Sequence, residues 1–412
     1  MDSDDEMSDN SNHSLGLDGH STDDDLDEEY FTDSHLSDGS SGESSSDEDD
    51  GAANVVPNPW MRTYAPEAED DQPAHQFDQT PGPKDAPPPT ANPINYLLLF
   101  LTEVFIDNVV THTNNYARNF LNKNRDTLKP HSYARKWKRT NAVEIKAFFA
   151  IIINMGLIRK PTLYSYWTTV KVSSSQLTPW FGRVMSRNRF EILLRFFSLV
   201  RPNLPRPNQP GYDPCAHFQP IIEQFNIQSR RHFVPQQNLC VDESLVGTKN
   251  KTRLLLYMHH HKWGIKLWVL CESATAYVLA CFVYCGKAER PDPNDQRGLA
   301  HRVVVKLLEM GNYLRKGHHI FTDNFFTSMA LAKELWNMHT YLTGTVRQNS
   351  RGLPRAIKTK LRPTEYSFFR QAEHLVTSYR EKPSQKKNVN SIVLVKSQRR
   401  TGHDNCFKRR TH

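Results

Sequence analysis

The chain has 412 residues, which leaves room for two folded domains and tails, since single domains usually contain roughly 100–200 residues. Residues 1–50 contain 19 of the 45 acidic residues and no Lys or Arg, so residues 51–412 hold all 52 basic residues and a net charge of +26. The six cysteines form no C-x-x-C pair, and no apolar run approaches the roughly 18 residues that span a bilayer. These features argue against a disulfide scaffold or a membrane protein. They favour an intracellular protein with a polyanionic partner, first of all nucleic acid, although a basic soluble enzyme has the same composition.

The N-terminal segment, residues 1–90, consists mostly of Asp, Ser, Glu, Gly and Pro. It has too little apolar surface to offset the entropy of ordering the backbone, so we predict a disordered acidic tail. Serines among acids, as in residues 44–50, are plausible targets of an acidophilic kinase or of a protein partner. A solubilising or self-masking tail is the alternative.

Helical periodicity dominates residues 91–235, which we assign to a helical domain. Apolar residues recur at three- and four-residue steps from Leu97 to Val109. A second helix is predicted to begin after the N-cap Asn141, with Glu144 three residues later, and to end near Gly156. A third is predicted to begin after Ser186.

After Pro235 the period changes to that of strands, and residues 236–350 form the second predicted domain. Three strands are followed by a helix, a strand, a helix and a strand, an order of βββαβαβ. This order is that of an RNase H-like fold of the retroviral integrase type, within the α/β class. The remainder, residues 351–412, is basic and is predicted to be irregular, apart from one possible strand at 389–395.

Two aspartates fall where an RNase H-like fold carries its carboxylates. Asp242 lies on the first predicted strand, and Asp323 lies just after the fourth. Carboxylates are the ligands that hard divalent cations prefer, and pairs of such ions assist phosphodiester cleavage. Alternatively, Asp323 caps the helix that begins a few residues later, and Asp242 is a surface charge.

The residues around both aspartates resemble the core of the piggyBac transposase family. The resemblance spans about residues 93–395, and its most specific parts are Val241-Asp242-Glu243-Ser244, Trp263-Gly264-Ile265-Lys266 and Phe321-Thr322-Asp323-Asn324-Phe325-Phe326. It implies that Asp242 and Asp323 are catalytic metal ligands for Mg²⁺ or Mn²⁺ in a DNA transposase, which cuts and rejoins double-stranded DNA. It also implies a nuclear location and a homodimer formed through the helical region.

The resemblance implies a third aspartate about a hundred residues beyond the second, but only 89 residues follow Asp323 and no matching motif is evident. The family's cysteine-rich C-terminal domain is likewise not evident. We therefore expect a transposase-derived DNA-binding protein with an incomplete catalytic set. The alternative is a domesticated DNA- or chromatin-binding protein without nuclease activity.

A basic and aromatic segment at 129–139 is the main candidate for DNA contact, because cations release counterions from phosphates and aromatic rings stack on bases. The predicted DNA-binding residues are Arg135, Lys136, Trp137, Lys138 and Arg139, together with Lys249, Arg253 and Lys266 in the family-like blocks. A nuclear-import signal, or a solvated loop with Trp137 in the core, would have the same composition. A second basic cluster lies at 396–410.

The histidines at 259–261 are candidate zinc ligands, but adjacent strand residues point to opposite faces, so at most two could reach one ion. We expect them to be exposed or to contact DNA. Cys281 and Cys285 are predicted to be strand thiols.

Overall fold

A mixed sheet forms the centre of the protein. The computed structural model describes residues 59–63, 75–168, 178–248, 252–258, 262–286, 295, 297–380 and 389–394, all within one compact unit. The strands are β1 Met61–Thr63, β2 Gly82–Pro83, β3 Phe233–Val234, β4 Asn238–Gly247, β5 Leu255–Met258, β6 Lys262–Glu272, β7 Val278–Val283, β8 His319–Thr322, β9 Tyr341–Thr345, β10 Tyr366–Gln371, β11 His374–Tyr379 and β12 Val389–Leu394.

In the described residues, ten strands join in the order β1-β10-β11-β12-β9-β8-β4-β6-β5, with β7 also paired to β6. The pairs β4–β6 and β6–β7 are antiparallel, so the first three predicted strands are neighbours in one sheet. The pairs β4–β8 and β8–β9 are parallel. The protein is therefore a mixed α/β protein with a large central sheet.

Helices precede the sheet and connect its parallel strands. They are α1 Pro93–Phe100, α2 Glu103–Lys123, α3 Ala142–Leu157, α4 Pro179–Val184, α5 Arg187–Phe196, α6 Gln219–His232, α7 Leu299–Gly311 and α8 Met329–Asn337. The predicted caps are confirmed, since Asn141 accepts a hydrogen bond from the Glu144 N–H and Ser186 accepts one from the Arg189 N–H. The first predicted helix is divided in two at Thr102, which caps α2.

The largest hydrophobic clusters of the helical part and of the sheet are separate, and a small cluster joins Cys215 to Leu254 and Val283. Phe148, Phe181 and Phe190 belong to a buried cluster of the helical part. In the sheet, Leu239 and Val241 of β4 are buried in one cluster with residues of α7, including Val303, Val304 and Leu307. The division of the chain at 235/236 stays a prediction, because the described residues form one unit.

Two predictions of disorder or irregularity are corrected. Within residues 1–90, β1 pairs with β10, β2 pairs with β3, and the His75 N–H donates to the Tyr341 hydroxyl at 2.7 Å. Within residues 351–412, the antiparallel strands β10 and β11 continue the sheet from β12. Local composition did not reveal the pairing of β1 and β2, because their partners lie far away in the chain. The strands β10 and β11 pair with each other, so the prediction of irregular structure missed a local hairpin.

Among the described helices, none alone is long and apolar enough to cross a membrane. By length and composition only, the pair Pro93–Phe100 and Glu103–Lys123 passes that test jointly, with a bend of 65° between them.

Candidate metal-binding carboxylate site

Asp242 and Asp323 lie at neighbouring positions of two adjacent parallel strands. Val241 of β4 is in register with Thr322, the last residue of β8, so each aspartate is the next residue along its own chain. Neighbouring strands lie about 4.8 Å apart. The sheet therefore brings together two residues separated by 81 positions, as the sequence predicted.

The backbone around Asp323 is held by a tight turn. Its Oδ1 accepts a hydrogen bond from the Phe325 N–H at 3.0 Å, and its carbonyl accepts one from the Thr327 hydroxyl at 2.6 Å. The α8 helix is capped by Ser328, whose Oγ accepts from the Leu331 N–H. Asp323 is thus not the helix cap that the sequence left open as an alternative.

Gly344 of β9 allows this turn to pack closely on the sheet. A Cβ at this position would lie 2.2 Å from the Thr327 Oγ1 and 2.6 Å from the carbonyl oxygen of Thr322. The hydroxyl groups of Thr322 and Thr327 also form a hydrogen bond with each other, with 2.7 Å between their oxygens. The absence of a side chain at Gly344 therefore fixes where the residues flanking Asp323 lie.

Aromatic rings anchor the other side of the turn. Phe325 stacks on Trp268 of β6 with 5.7 Å between ring centroids, and Phe326 meets the same ring edge-on at 5.6 Å. Trp268 is directly opposite Glu243 in the β4–β6 register. The Asp323 turn is thus tied to the strand that also supports Asp242.

Glu243, the residue after Asp242, is paired with Lys266. Its Oε2 lies 2.7 Å from the Lys266 Nζ, and the lysine side chain is only 7% exposed. The ammonium also lies 4.3 Å from the centre of the Trp268 ring. Lys266 was predicted to contact DNA, but in this position it is enclosed by its partner and aromatic rings and is not presented to a phosphate.

The electrostatics of Asp323 reflect a crowded negative site. Desolvation by the surrounding protein raises the pKa of the carboxyl group, although the side chain reaches solvent, and the negative charges of Asp242 and Glu243 raise it further. Hydrogen bonds from the backbone of Phe325 and Phe326 oppose this rise. A bound cation would relieve the repulsion between the carboxylates.

The described residues fit a divalent cation only in part. Asp242 and Asp323 supply oxygen ligands of the type that such ions prefer. However, no group of three or more His, Cys, Asp or Glu residues that could hold a metal ion occurs in the described part of the chain. The negative charge of Glu243 also acts on Asp323, but this carboxylate forms an ion pair with Lys266.

The predicted DNA-binding segment is divided between structural and exposed side chains. Arg135 donates to the carbonyl groups of Arg125, Leu128 and Lys129, so its guanidinium stabilises the preceding loop. The half-buried Trp137 packs edge-on against Phe196 at 5.1 Å. This is the core packing that the sequence left open for Trp137.

Lys136, Lys138, Arg139 and Arg253 are exposed. Lys138 and Arg139 line a cleft of about 540 Å³ beside Arg189 of α5. Lys249, the histidines at 259–261, the basic cluster at 396–410 and most of the acidic tail lie outside the described residues.

The cysteine predictions can be followed for five of the six residues, since Cys406 lies outside the described range. Those five are thiols and not members of disulfide bonds. Cys281 is a buried residue of β7, as predicted, and burial raises its pKa to about 11. Cys285 lies just beyond β7, and its Sγ is 2.9 Å from the Sγ of Cys215.

The roles of Lys266, Thr327 and Gly344 were missed from the sequence. A lysine within the apolar alternation around Trp268 was an available signal, because a charge at a core-facing strand position requires a partner. No comparable signal existed for Thr327 and Gly344, whose contact depends on the pairing of β8 with β9.

A comparison with sequence models of known protein families assigns this chain to a class of proteins. Residues 92–411 match the sequence model of a family described as transposase IS4. The match covers well over half of the chain, so the class is that of the transposases.

The most informative similar proteins with curated names identify the family within this class. The chain is 25% identical over 304 residues to human PiggyBac transposable element-derived protein 5, and 24% identical over 271 residues to human PiggyBac transposable element-derived protein 2. These matches cover 70% and 62% of this chain, but only 54% and 40% of the relatives. The chain belongs to the piggyBac family of transposase-related proteins and spans about half the length of the curated relatives it matches.

A solved structure supports the fold. A piggyBac transposase, determined by cryo-electron microscopy as a synaptic complex with hairpin DNA, superposes with a TM-score of 0.66 at 24% identity. The superposition covers 78% of this chain and 64% of that one. At this identity the likeness concerns the fold alone.

Proposed function

We propose that the protein is a piggyBac transposase-derived DNA-binding protein whose carboxylate pair binds a divalent cation such as Mg²⁺ or Mn²⁺ and whose ancestral chemistry was DNA strand cleavage and transfer. The observation that carries the proposal is the placement of Asp242 and Asp323 at adjacent strand positions. A divalent ion bound there would polarise a phosphodiester and its attacking nucleophile. We further propose that the strands from β4 to β9 form an RNase H-like core, preceded by an all-α region.

The carboxylate pair binds cations weakly in this proposal, because no group of three or more His, Cys, Asp or Glu residues that could hold a metal ion occurs in the described part of the chain, and the neighbouring Glu243 is paired with Lys266. Losing one ligand of a site of this kind costs more than the 10–100-fold that an outer-shell change costs. The protein is therefore proposed to be catalytically incomplete, with strand cleavage weak at most.

DNA binding is proposed for the surface around α3 and α5. Lys138 and Arg139 are exposed at the edge of the cleft, and Lys136 is exposed beside them. Arg189 in the same cleft is neutralised by Glu144, so the two neighbouring cations carry the unbalanced charge. The piggyBac complex with hairpin DNA supports this proposal by analogy of fold. A nuclear location and a homodimer are proposed with it.

The metal part is tested by thermal unfolding of the full chain with and without Mg²⁺. We expect Mg²⁺ to raise the melting temperature of the wild type, because a ligand that binds only the folded state stabilises it. The rise should disappear in Asp323→Asn and Asp242→Asn but persist in Asp107→Asn, an exposed aspartate of α2. An equal rise in all four proteins would contradict the proposed cation site.

The DNA part is tested by fluorescence anisotropy with duplex DNA at increasing salt. Each phosphate contact contributes a slope of about −0.9 to the plot of log affinity against log salt, so Lys138→Gln/Arg139→Gln should reduce the slope by about 2. The charge-matched control Lys123→Gln/Lys358→Gln changes two exposed lysines elsewhere. The surface is wrong if both double variants retain the wild-type slope.

The alternative, a domesticated DNA-binding protein without nuclease activity, is favoured by the engagement of Glu243 with Lys266. It predicts DNA affinity that is the same in Mg²⁺ and in EDTA, and no nicking of supercoiled plasmid above the level of Asp242→Asn. Nicking that requires both Mg²⁺ and Asp242 would instead support a transposase-derived protein that retains weak strand cleavage.

A further inference from the structure

A cationic pocket lies at the opposite end of the sheet from the carboxylates. It has a volume of about 420 Å³ and is bordered by the loop that leads into β8, whereas Asp323 follows the last residue of that strand. Lys84, Arg230 and Lys316 line it, and none of its described lining residues is acidic. Asp85 is the neighbour of Lys84 in the chain but does not line the pocket.

The three cations come from separate elements that the fold fixes relative to one another. The N–H of Lys84 donates to the carbonyl of His232 at 2.7 Å, which attaches the segment after β2 to the end of α6. On the other side, Gly317 has a φ of +70°, and a Cβ there would lie 2.4 Å from the carbonyl oxygen of Gln76. The glycine thus allows the N-terminal segment to pass directly over the loop that carries Lys316.

Like charges gathered in this way destabilise one another. Burial lowers the pKa of Lys316, and the positive charge of Lys84 lowers it further. Arg230 donates one hydrogen bond to the carbonyl of Met310, which leaves other N–H groups of its guanidinium for a ligand. An anion in the pocket would convert this repulsion into attraction.

Tyr313 gives an independent indication of a missing partner. Its side chain is 4% exposed and lines the pocket, and its hydroxyl has no hydrogen-bond partner among the described residues. Buried hydroxyl groups are nearly always hydrogen-bonded, so an unpartnered one calls for an explanation. The hydroxyl oxygen is itself buried beneath the pocket lining, so a ligand oxygen would supply the acceptor through a small shift of the lining side chains.

We propose that this pocket binds a phosphate group, presented either by a small free phosphate compound or by the end of a polynucleotide. Charged N–H donors and a hydroxyl are the groups that bind phosphate oxygens in proteins. This site is separate from the carboxylate pair and does not depend on its proposed role.

The test is titration calorimetry of the full chain with inorganic pyrophosphate, in EDTA so that no divalent ion occupies the carboxylates. We expect Lys84→Gln/Lys316→Gln to weaken binding at least about tenfold, since two charge-assisted contacts are lost. The control Lys123→Gln/Lys358→Gln should stay within about twofold of the wild type. Equal affinity of the two double variants would overturn the proposal.

Tyr313→Phe separates ligand binding from folding. We expect it to weaken binding about threefold to tenfold, the range for one hydrogen bond, without lowering the melting temperature, because its hydroxyl has no partner among the described residues. If wild-type affinity is retained, the tyrosine part of the proposal is wrong.

A second arm identifies the source of the phosphate. A short single-stranded oligonucleotide with a 5′-phosphate is compared with the same oligonucleotide without it. Tighter binding of the phosphorylated oligonucleotide than of both the unphosphorylated one and pyrophosphate, with the difference lost in Lys84→Gln/Lys316→Gln, assigns the pocket to polynucleotide ends. Tighter binding of pyrophosphate assigns it to small compounds. Binding of neither probe by the wild type would refute the proposal.

Discussion

The Nζ of Lys266 lies 2.7 Å from the Oε2 of Glu243, one residue along β4 from Asp242. The ion pair is held between β4 and β6, against the aromatic rings that also anchor the Asp323 turn. It therefore links the positions of the two aspartates to the packing of the sheet. Loss of this ion pair should therefore lower the free energy of unfolding and change the positions of the two aspartates.

Lys266→Met should lower the free energy of unfolding by about 1–2 kcal/mol. Removing one partner of a buried ion pair costs several kcal/mol, but the Glu243 side chain is 35% exposed and can recover part of its hydration. The control is Arg187→Met, which breaks a half-exposed pair with Glu191 and a contact with the Tyr164 ring, and it should cost under about 1 kcal/mol. Urea unfolding measures both, and equal losses would show that burial of Lys266 has no energetic weight.

Gly344→Ala should be strongly destabilising, by about 2–4 kcal/mol, because the new methyl group meets the backbone carbonyl of Thr322 at 2.6 Å and the strand cannot yield as a flexible side chain would. Gly156→Ala in α3 is the control, since nothing lies within 4 Å of its Cβ and alanine favours helix. We expect opposite shifts in melting temperature for the two variants. A neutral effect of Gly344→Ala would show that the Asp323 turn is loosely packed.

Stability should fall as the pH decreases from about 6.5 through 4. Burial lowers the pKa of His318 to about 4, so the folded state binds fewer protons than the unfolded state in this window, and stability rises with pH there. The depressed pKa contributes up to about 3 kcal/mol above pH 6.5, at 1.36 kcal/mol per unit. This contribution is lost as the pH falls through 4.

His318→Phe should flatten this dependence, because phenylalanine retains the ring contacts with Phe77 and Tyr313 but does not titrate. Some slope will remain, since burial also lowers the pKa of His319 to about 4. His131→Phe changes an exposed histidine and should leave the slope unaltered. Denaturant unfolding between pH 4 and 7 compares the three proteins, and parallel curves would contradict the assignment to His318.

Arg189→Lys should destabilise the helical part by about 1–2 kcal/mol. The Arg189 guanidinium bonds both oxygens of the Glu144 carboxylate at 2.6 Å and lies over the Trp137 ring, and lysine can reproduce neither the paired bonds nor the planar stacking. Arg195→Lys on the same helix serves as control, because Arg195 is exposed and its guanidinium lies 5.3 Å from the centre of the Phe120 ring. Similar melting temperatures for the two variants would count against the role of the bidentate pair.

Much of the fold was predictable because its signals are local. Asn141 and Ser186 mark the starts of helices, because their side chains accept hydrogen bonds from N–H groups in the first turn. The alternation of apolar and polar residues around Val241 and Ile320 indicates strands, and both residues are buried. The order of these elements brought Asp242 and Asp323 to neighbouring strands. The sequence motifs around each aspartate, which resemble those of the piggyBac family, then identified the pair without any structure.

Only the tertiary structure decided what surrounds the aspartates and what else the sheet supports. The ion-paired residues Glu243 and Lys266 are 23 residues apart in the sequence. Thr327, in the turn after β8, packs against Gly344 of β9. Lys84 and Lys316, which line the same pocket, are more than 200 residues apart. Such contacts follow from strand register and chain crossing, and no short-range periodicity encodes either of them. The hairpin of β10 and β11, by contrast, joins strands that follow each other in the chain, and only its pairing with β1 depends on residues far away.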